Sequence, residues 1–162
     1  MDKTDELLTL LRENARQSNG ELAELLGLAP DDVASAIARL EEDGAILGYS
    51  AVIDPEVRTP GSVLASIEVK MTPERDGGYD RLAERIARFP QVKDCYLMSG
   101  GFDLWVVVEG QDLREVARFV SENLSTLEGV ISTGTHFQLK TYKENGKLRV
   151  SREEPSRLSV SP

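Results

Sequence analysis

Leucines recur at helical spacing from the start of the chain. Leu7, Leu8, Leu11 and then Ala15 share one side of a 3.6-residue period, behind the acidic pair Asp5 and Glu6. The pattern predicts a first helix from about Thr4 to Arg16, with carboxylates at its electropositive end. Asn19 is expected to cap a short second helix that buries Leu22, Leu25 and Leu26, and Gly27 to end it. Pro30 suits the first position of a third helix. Its buried stripe is Val33, Ile37 and Leu40, and Gly44 closes it. Two short helices about a tight turn containing glycine make a helix-turn-helix signature, whose later helix reads DNA.

Beyond residue 54 the period changes. Gly48 to Ile53 is extended, and Thr59-Pro60-Gly61 signals a turn. Val63, Ala65, Ile67, Val69 and Met71 then alternate with Ser62, Leu64, Ser66, Glu68 and Lys70, as in a half-buried strand. Tyr79, Leu82, Ala83, Ile86 and Phe89 give a helical stripe stopped by Pro90. Gln91 to Met98 is extended, Ser99-Gly100-Gly101-Phe102 turns, and Asp103 to Glu109 is rich in strand formers. Asp112 and Glu115 are placed to form a capping box. It opens a helix burying Leu113, Val116, Ala117, Val120 and Leu124. After Gly129 a last strand sets Ile131, Thr133, Thr135, Phe137 and Leu139 on one face. The order β-α-β, β-α-β is the ferredoxin-like split arrangement. Its helices cover one face of the sheet. The other face carries Trp105 and Val107 and calls for a cover, so a homodimer is predicted, with the tail or the N-terminal domain as alternative covers.

Charge qualifies the first domain. Residues 1–54 hold 12 acids and 4 bases, a balance of −8 out of −9 for the 162-residue chain. Non-specific DNA affinity comes from Lys and Arg displacing counterions, so this balance opposes it. Asp31 and Asp32 fall in the first turn of the third helix, where the helix dipole favours them by about 0.3–1 kcal/mol each. Ser35 and Arg39 are the candidate DNA contacts, and an Arg39–Glu42 pair is the alternative for that arginine. The tail, residues 143–162, is polar. Residues 140–162 balance at +3, and Glu144-Asn145-Gly146-Lys147 is suited to a hairpin turn.

Candidate chemistry is sparse. His136 and Cys95 are single, so the usual zinc ligand sets cannot assemble, and no cofactor or catalytic group is expected. Neither a Walker sequence nor a G-x-S-x-G elbow occurs. Cys95 is expected to be buried and inert. No apolar run reaches the ~20 residues of a membrane helix. The N-terminus has no signal-peptide pattern, which with the single cysteine suggests a cytoplasmic setting.

In order and spacing, several fragments resemble the Lrp/AsnC family of prokaryotic transcription regulators. In the first half these are Asp5…Leu8…Leu11, Ala15-Arg16, Glu21-Leu22-Ala23, Leu26-Gly27-Leu28, Val33…Ile37…Leu40-Glu41, Gly44-Ala45-Ile46 and Gly48-Tyr49. In the second half they are Gly101-Phe102-Asp103-Leu104, Gly129-Val130 with Thr133 and Thr135, and Lys143. The resemblance implies an α+β chain: a three-helix, winged-helix-like DNA-binding domain at 1–47 and a linking strand and turn at 48–61. A ferredoxin-like effector and dimerisation domain follows at 62–142, and a tail at 143–162. It implies dimers, assembled further into tetramers or octamers, and an amino-acid effector. The site implied is the loop Met98, Ser99, Gly100, Gly101, Phe102 and Asp103, together with Thr133 and Thr135.

Physically, a glycine turn offers N–H groups to a carboxylate, and Asp103 is suited to an ammonium. The alternative is that the glycines serve only the turn and Asp103 caps nearby backbone. His136 is either a pocket residue or a structural one. The chain departs from the family pattern at Ala29, where Ser is usual, and at Ala36, where Arg is usual. Two other functions remain open: a metabolite sensor acting on a protein partner through a degenerate helix-turn-helix, and a haem-precursor decarboxylase, which a single histidine disfavours.

Overall fold

The computed structural model describes residues 2–53, 61–73 and 78–148. The chain divides into two compact units, Met1–Ala51 and Val52–Pro162. The first unit holds α1 (Lys3–Glu13), α2 (Asn19–Leu26) and α3 (Pro30–Glu42). Leu7, Leu11, Leu22, Ala23, Leu26 and Val33 are its buried core, with Leu10, Ile37 and Leu40 packed at the margin. Leu25, expected inside, is 60% exposed.

Local hydrogen bonds fix the helix ends, and two of them move the expected boundaries. α1 stops at Glu13, not Arg16. Asn14 is extended, and its side-chain oxygen accepts from Arg16 N at 3.1 Å, a turn that competes with continuing the helix. Ser18, not Asn19, caps α2. Its Oγ accepts from Glu21 N at 3.2 Å, while Glu21 Oε2 accepts from Ser18 N at 2.7 Å, a complete capping box. Gly27 then ends α2 at φ 66°, a left-handed position where glycine carries no Cβ penalty. α3 begins with Pro30 at N1, and Ala29 gives it no side-chain cap. Asp31 and Asp32 occupy its first turn. Past Gly44 the chain folds back, and Ile46 N donates to Leu40 O at 2.9 Å. Residues 48–53 form no strand.

The second unit is a four-stranded antiparallel sheet, ordered β2-β3-β1-β4. Its strands are β1 (Val63–Met71), β2 (Val92–Leu97), β3 (Leu104–Gly110) and β4 (Val130–Phe137). Its helices are α4 (Asp80–Ala87) and α5 (Leu113–Phe119), the latter continued by a π-helical turn, Val120–Leu124. This is the predicted ferredoxin-like topology. Ala65, Ile67, Val69 and Met71 of β1 and Leu104, Val106 and Val108 of β3 form one buried face. Leu82, Ile86, Val116, Phe119 and Leu124 pack on it from the helices, and Phe89 meets Phe119 edge-on at 5.3 Å.

The α5 stripe differs from the expected one. Leu113 is 54% exposed and Ala117 is exposed, while Phe119 is buried. A π turn follows: Ser125 N reaches back to Val120 O at 2.8 Å, and the extra residue puts Leu124 on the buried side with Phe119, five positions earlier. Only half of the expected capping box forms here. Asp112 Oδ1 accepts from Glu115 N at 2.8 Å, but Glu115 Oε2 accepts from Gln111 N at 2.6 Å.

On β4, Thr133, Thr135 and Phe137 share the helix-side face, whereas Ile131 is 63% exposed and Leu139 lies past the strand. A hairpin of β5 (Lys143–Glu144) and β6 (Lys147–Leu148) turns at Asn145-Gly146, both at positive φ, as expected. The basic residues Arg149, Arg152 and Arg157 lie outside the described residues. Among the described residues no helix is long and apolar enough to cross a membrane.

Candidate functional site

The DNA-facing candidates stand one turn apart on α3. Ser35 and Arg39 are both exposed, on a face shared with Asp31, Ala38 and Glu42. Arg39 makes no ion pair among the described residues, so the alternative Arg39–Glu42 bridge does not form. Ala36 is partly buried against the three-helix core. Behind α3, Tyr49 Oη donates to Glu41 Oε1 at 2.9 Å. Burial and that carboxylate raise the Tyr49 pKa, so the phenol stays a donor at neutral pH.

The effector candidates gather at one end of the sheet. The loop between β2 and β3 is closed by Met98 N donating to Asp103 O at 2.8 Å, and Asp103 N donates to Val69 O at 2.9 Å. The Asp103 carboxylate is engaged: Oδ2 accepts from Met71 N at 2.8 Å, capping the end of β1. Ser99, Gly100 and Gly101 are exposed, and Gly100 takes φ 147°, which favours glycine. The start of β4 lies at the same end, tied by Thr72 N donating to Gly129 O at 2.8 Å.

The sheet divides the remaining candidates. Thr133 pairs with Val69 and Thr135 with Ile67, so both hydroxyls are on the helix side. Thr133 Oγ1 lies 3.4 Å from Ser125 Oγ, at the end of the π turn. His136 pairs with Ser66 and stands on the opposite, open face. There it lies 3.3 Å from Glu68 Oε1 and stacks against Trp105, at 18° and 6.3 Å between centroids. Phe102 of the loop lies 5.7 Å from the same Trp105 ring. The loop and His136 are thus connected through Trp105 and Glu68, two residues that the sequence alone does not single out as site residues. In the sequence Trp105 is only an apolar residue of the uncovered face, and strand alternation offers no signal that Glu68 matters.

Neither single reactive residue points to catalysis. Cys95 is half-buried, its thiol 4.0 Å from Ala83 O, and burial raises its pKa. Among the described residues no group of three or more His, Cys, Asp or Glu could hold a metal.

Known proteins match this two-part architecture. Residues 1–46 match the winged helix-turn-helix DNA-binding family, and residues 64–148 match the Lrp/AsnC ligand binding domain. The chain is 45% identical over 162 residues to YugG of Bacillus subtilis, described as an uncharacterized HTH-type transcriptional regulator, covering 99% of this chain and 98% of that one. It is 32% identical over 145 residues to the proline dehydrogenase transcriptional activator of Rhodobacter capsulatus, covering 89% and 94%. A transcriptional regulator of Neisseria meningitidis, solved in complex with L-methionine, superposes with a TM-score of 0.69 at 28% identity, covering 93% and 97%. These relatives are regulators, not enzymes, which sets aside the haem-precursor decarboxylase reading. With a helix-turn-helix, a ferredoxin-like ligand domain and both family models in register, this chain belongs to the Lrp/AsnC family of transcriptional regulators.

Proposed function

We propose that the protein is a cytoplasmic regulator that binds DNA through α3 and senses an amino acid at the loop end of its sheet. The observation that carries this reading is the union, in one chain, of a helix-turn-helix match and a ligand-domain match. Ser35 and Arg39 contact DNA, with few phosphate partners because Asp31, Asp32 and Glu42 flank them. The effector's carboxylate meets the backbone of the loop Met98 to Asp103, at the end of the sheet where Thr133 of β4 also lies, with Thr135 two residues on. An L-methionine complex of a relative supports an amino acid as the class of ligand.

Two copies pair through the open sheet face, centred on Leu64 and Val107, and this dimer supplies two recognition helices to one operator. Thermal shift across the standard L-amino acids tests the effector. Ligand at 100 times its Kd stabilises the native state by about 2.7 kcal/mol. No change in melting temperature with any of them refutes the amino-acid reading. A second reading, a sensor that acts on a protein partner, is favoured by the −8 balance of residues 1–54. Failure of the dimer to bind its own upstream DNA at low salt selects it.

A further inference from the structure

The outer side of α4 is lined with arginines. Leu82 and Ile86 fix the phase of this helix by turning into the core, with Phe89 packed at its margin. That phase leaves Arg81, Arg85 and Arg88 exposed. They are spaced four and three residues apart, so each is the next one's neighbour on the helix surface. With Glu84 and Phe89 they line an open cleft of about 490 Å³. The charge balance is −3 along α3, from Pro30 to Glu42, but +1 from Asp80 to Arg88, and +2 among the cleft residues alone. Arg85 enters no ion pair among the described residues. Arg88 Nη2 meets Glu84 Oε2 at 3.4 Å, with the two side chains 80% and 68% exposed. Water screens such a pair, so it yields readily to a second anion. Folding accounts for the apolar side of α4 and not for this one, since Lys or Gln serves a solvated helix face equally well. Arginine adds a planar fork that fits the oxygens of a phosphate.

We propose that the α4 cleft clamps a backbone phosphate of DNA, with Arg85 and Arg88 as the clamp and Glu84 as the acid that limits its strength. This rests on the DNA reading above and adds to it a contact outside the helix-turn-helix. The phosphodiester lies at the surface of a duplex, so an open cleft can take it, whereas a small metabolite calls for a more enclosed pocket. A phosphate contact carries no sequence information. The two surfaces therefore divide the work: α3 discriminates between sequences, and α4 adds affinity for any duplex. That affinity is what the acidic first unit lacks, because Lys and Arg that displace counterions supply most of it.

The test follows binding of the full-length protein to its own upstream DNA and to a duplex of scrambled sequence, by fluorescence anisotropy across a salt series. The main variant carries Arg85→Gln and Arg88→Gln together. Glutamine matches arginine closely in helix propensity, so circular dichroism should be unchanged. Its affinity for both duplexes is expected to fall by the same factor, roughly tenfold at low salt, with the log–log slope lower by about 1 for each phosphate lost. Glu84→Gln removes the carboxylate and releases Arg88, and is expected to tighten both complexes by roughly threefold. Arg39→Ala, by contrast, should weaken binding to the upstream DNA more than to the scrambled duplex. A double variant with wild-type affinity and slope, or a Glu84→Gln that binds more weakly, overturns the α4 clamp. If Arg39→Ala still weakens binding in that case, the α3 reading stands without it. If the α4 variant weakens binding and Arg39→Ala does not, the clamp stands and the α3 reading falls. If the wild type binds neither duplex at the lowest salt, both fall.

Discussion

Asp103 shows how one hydrogen bond changes the meaning of a residue. In sequence it stands beside two glycines in a ligand-facing loop and is equally suited to an ammonium or to a backbone cap. The bond from Met71 N to Oδ2 makes it the cap of β1. Removing it leaves a part-buried N–H without a partner, at a cost of roughly 1–3 kcal/mol. Asp103→Ala should therefore lower the stability of the second unit in urea denaturation even without ligand. Unchanged stability would return Asp103 to the pool of free ligand groups. The residues that sequence could not single out, Glu68 and Trp105, are ordinary members of alternating strands. What marks them is adjacency across three strands, and the side-chain period of one strand carries no information on which residue of another lies alongside.

At the scale of elements, most of the fold was legible. Helical and strand periods placed the five helices and four main strands of the described residues, and Gly27, Pro30 and Gly44 marked boundaries where they were expected, but residues 48–53 form no linking strand. Errors fell where a short polar side chain chose between neighbours, as at Asn14 and Ser18, and in the phase of α5, where Phe119 is buried and Leu113 and Ala117 are exposed. The Ser18–Glu21 box makes a pH-dependent prediction. Hydrogen bonds from Ser18, backbone first, lower the pKa of Glu21 below its ordinary value. A carboxylate with a depressed folded-state pKa stabilises above its unfolded pKa, about 4.3 for glutamate, and that contribution is lost as pH falls through the lower folded value. Denaturation midpoints of wild type and Glu21→Gln should differ at pH 7 and converge as the medium is acidified below that range. A constant gap would mean that the charge is not what the box uses. Ser18→Ala should cost about 1 kcal/mol at neutral pH.

For the whole molecule, the acidic first unit and the open sheet face are the two features that one protomer does not explain, and the proposed dimer would address both. Val107→Glu places a charge at the centre of the proposed interface, and light scattering should then find a monomer that retains the wild-type circular dichroism. A persistent dimer would move the interface elsewhere. In the proposed dimer, a second α3 would add its contacts on the same operator. The central claim, that this acidic helix-turn-helix is a DNA reader, is tested most directly by the salt dependence of binding to the gene's own upstream DNA, followed by fluorescence anisotropy. The account predicts measurable binding at low salt with a shallow slope, about 2–4 in log–log form for a dimer that neutralises that many phosphates. Arg39→Ala should weaken binding and lower the slope by about 1 for each phosphate it leaves unneutralised. No binding by the wild-type dimer at the lowest salt, or a slope that ignores Arg39, would contradict it.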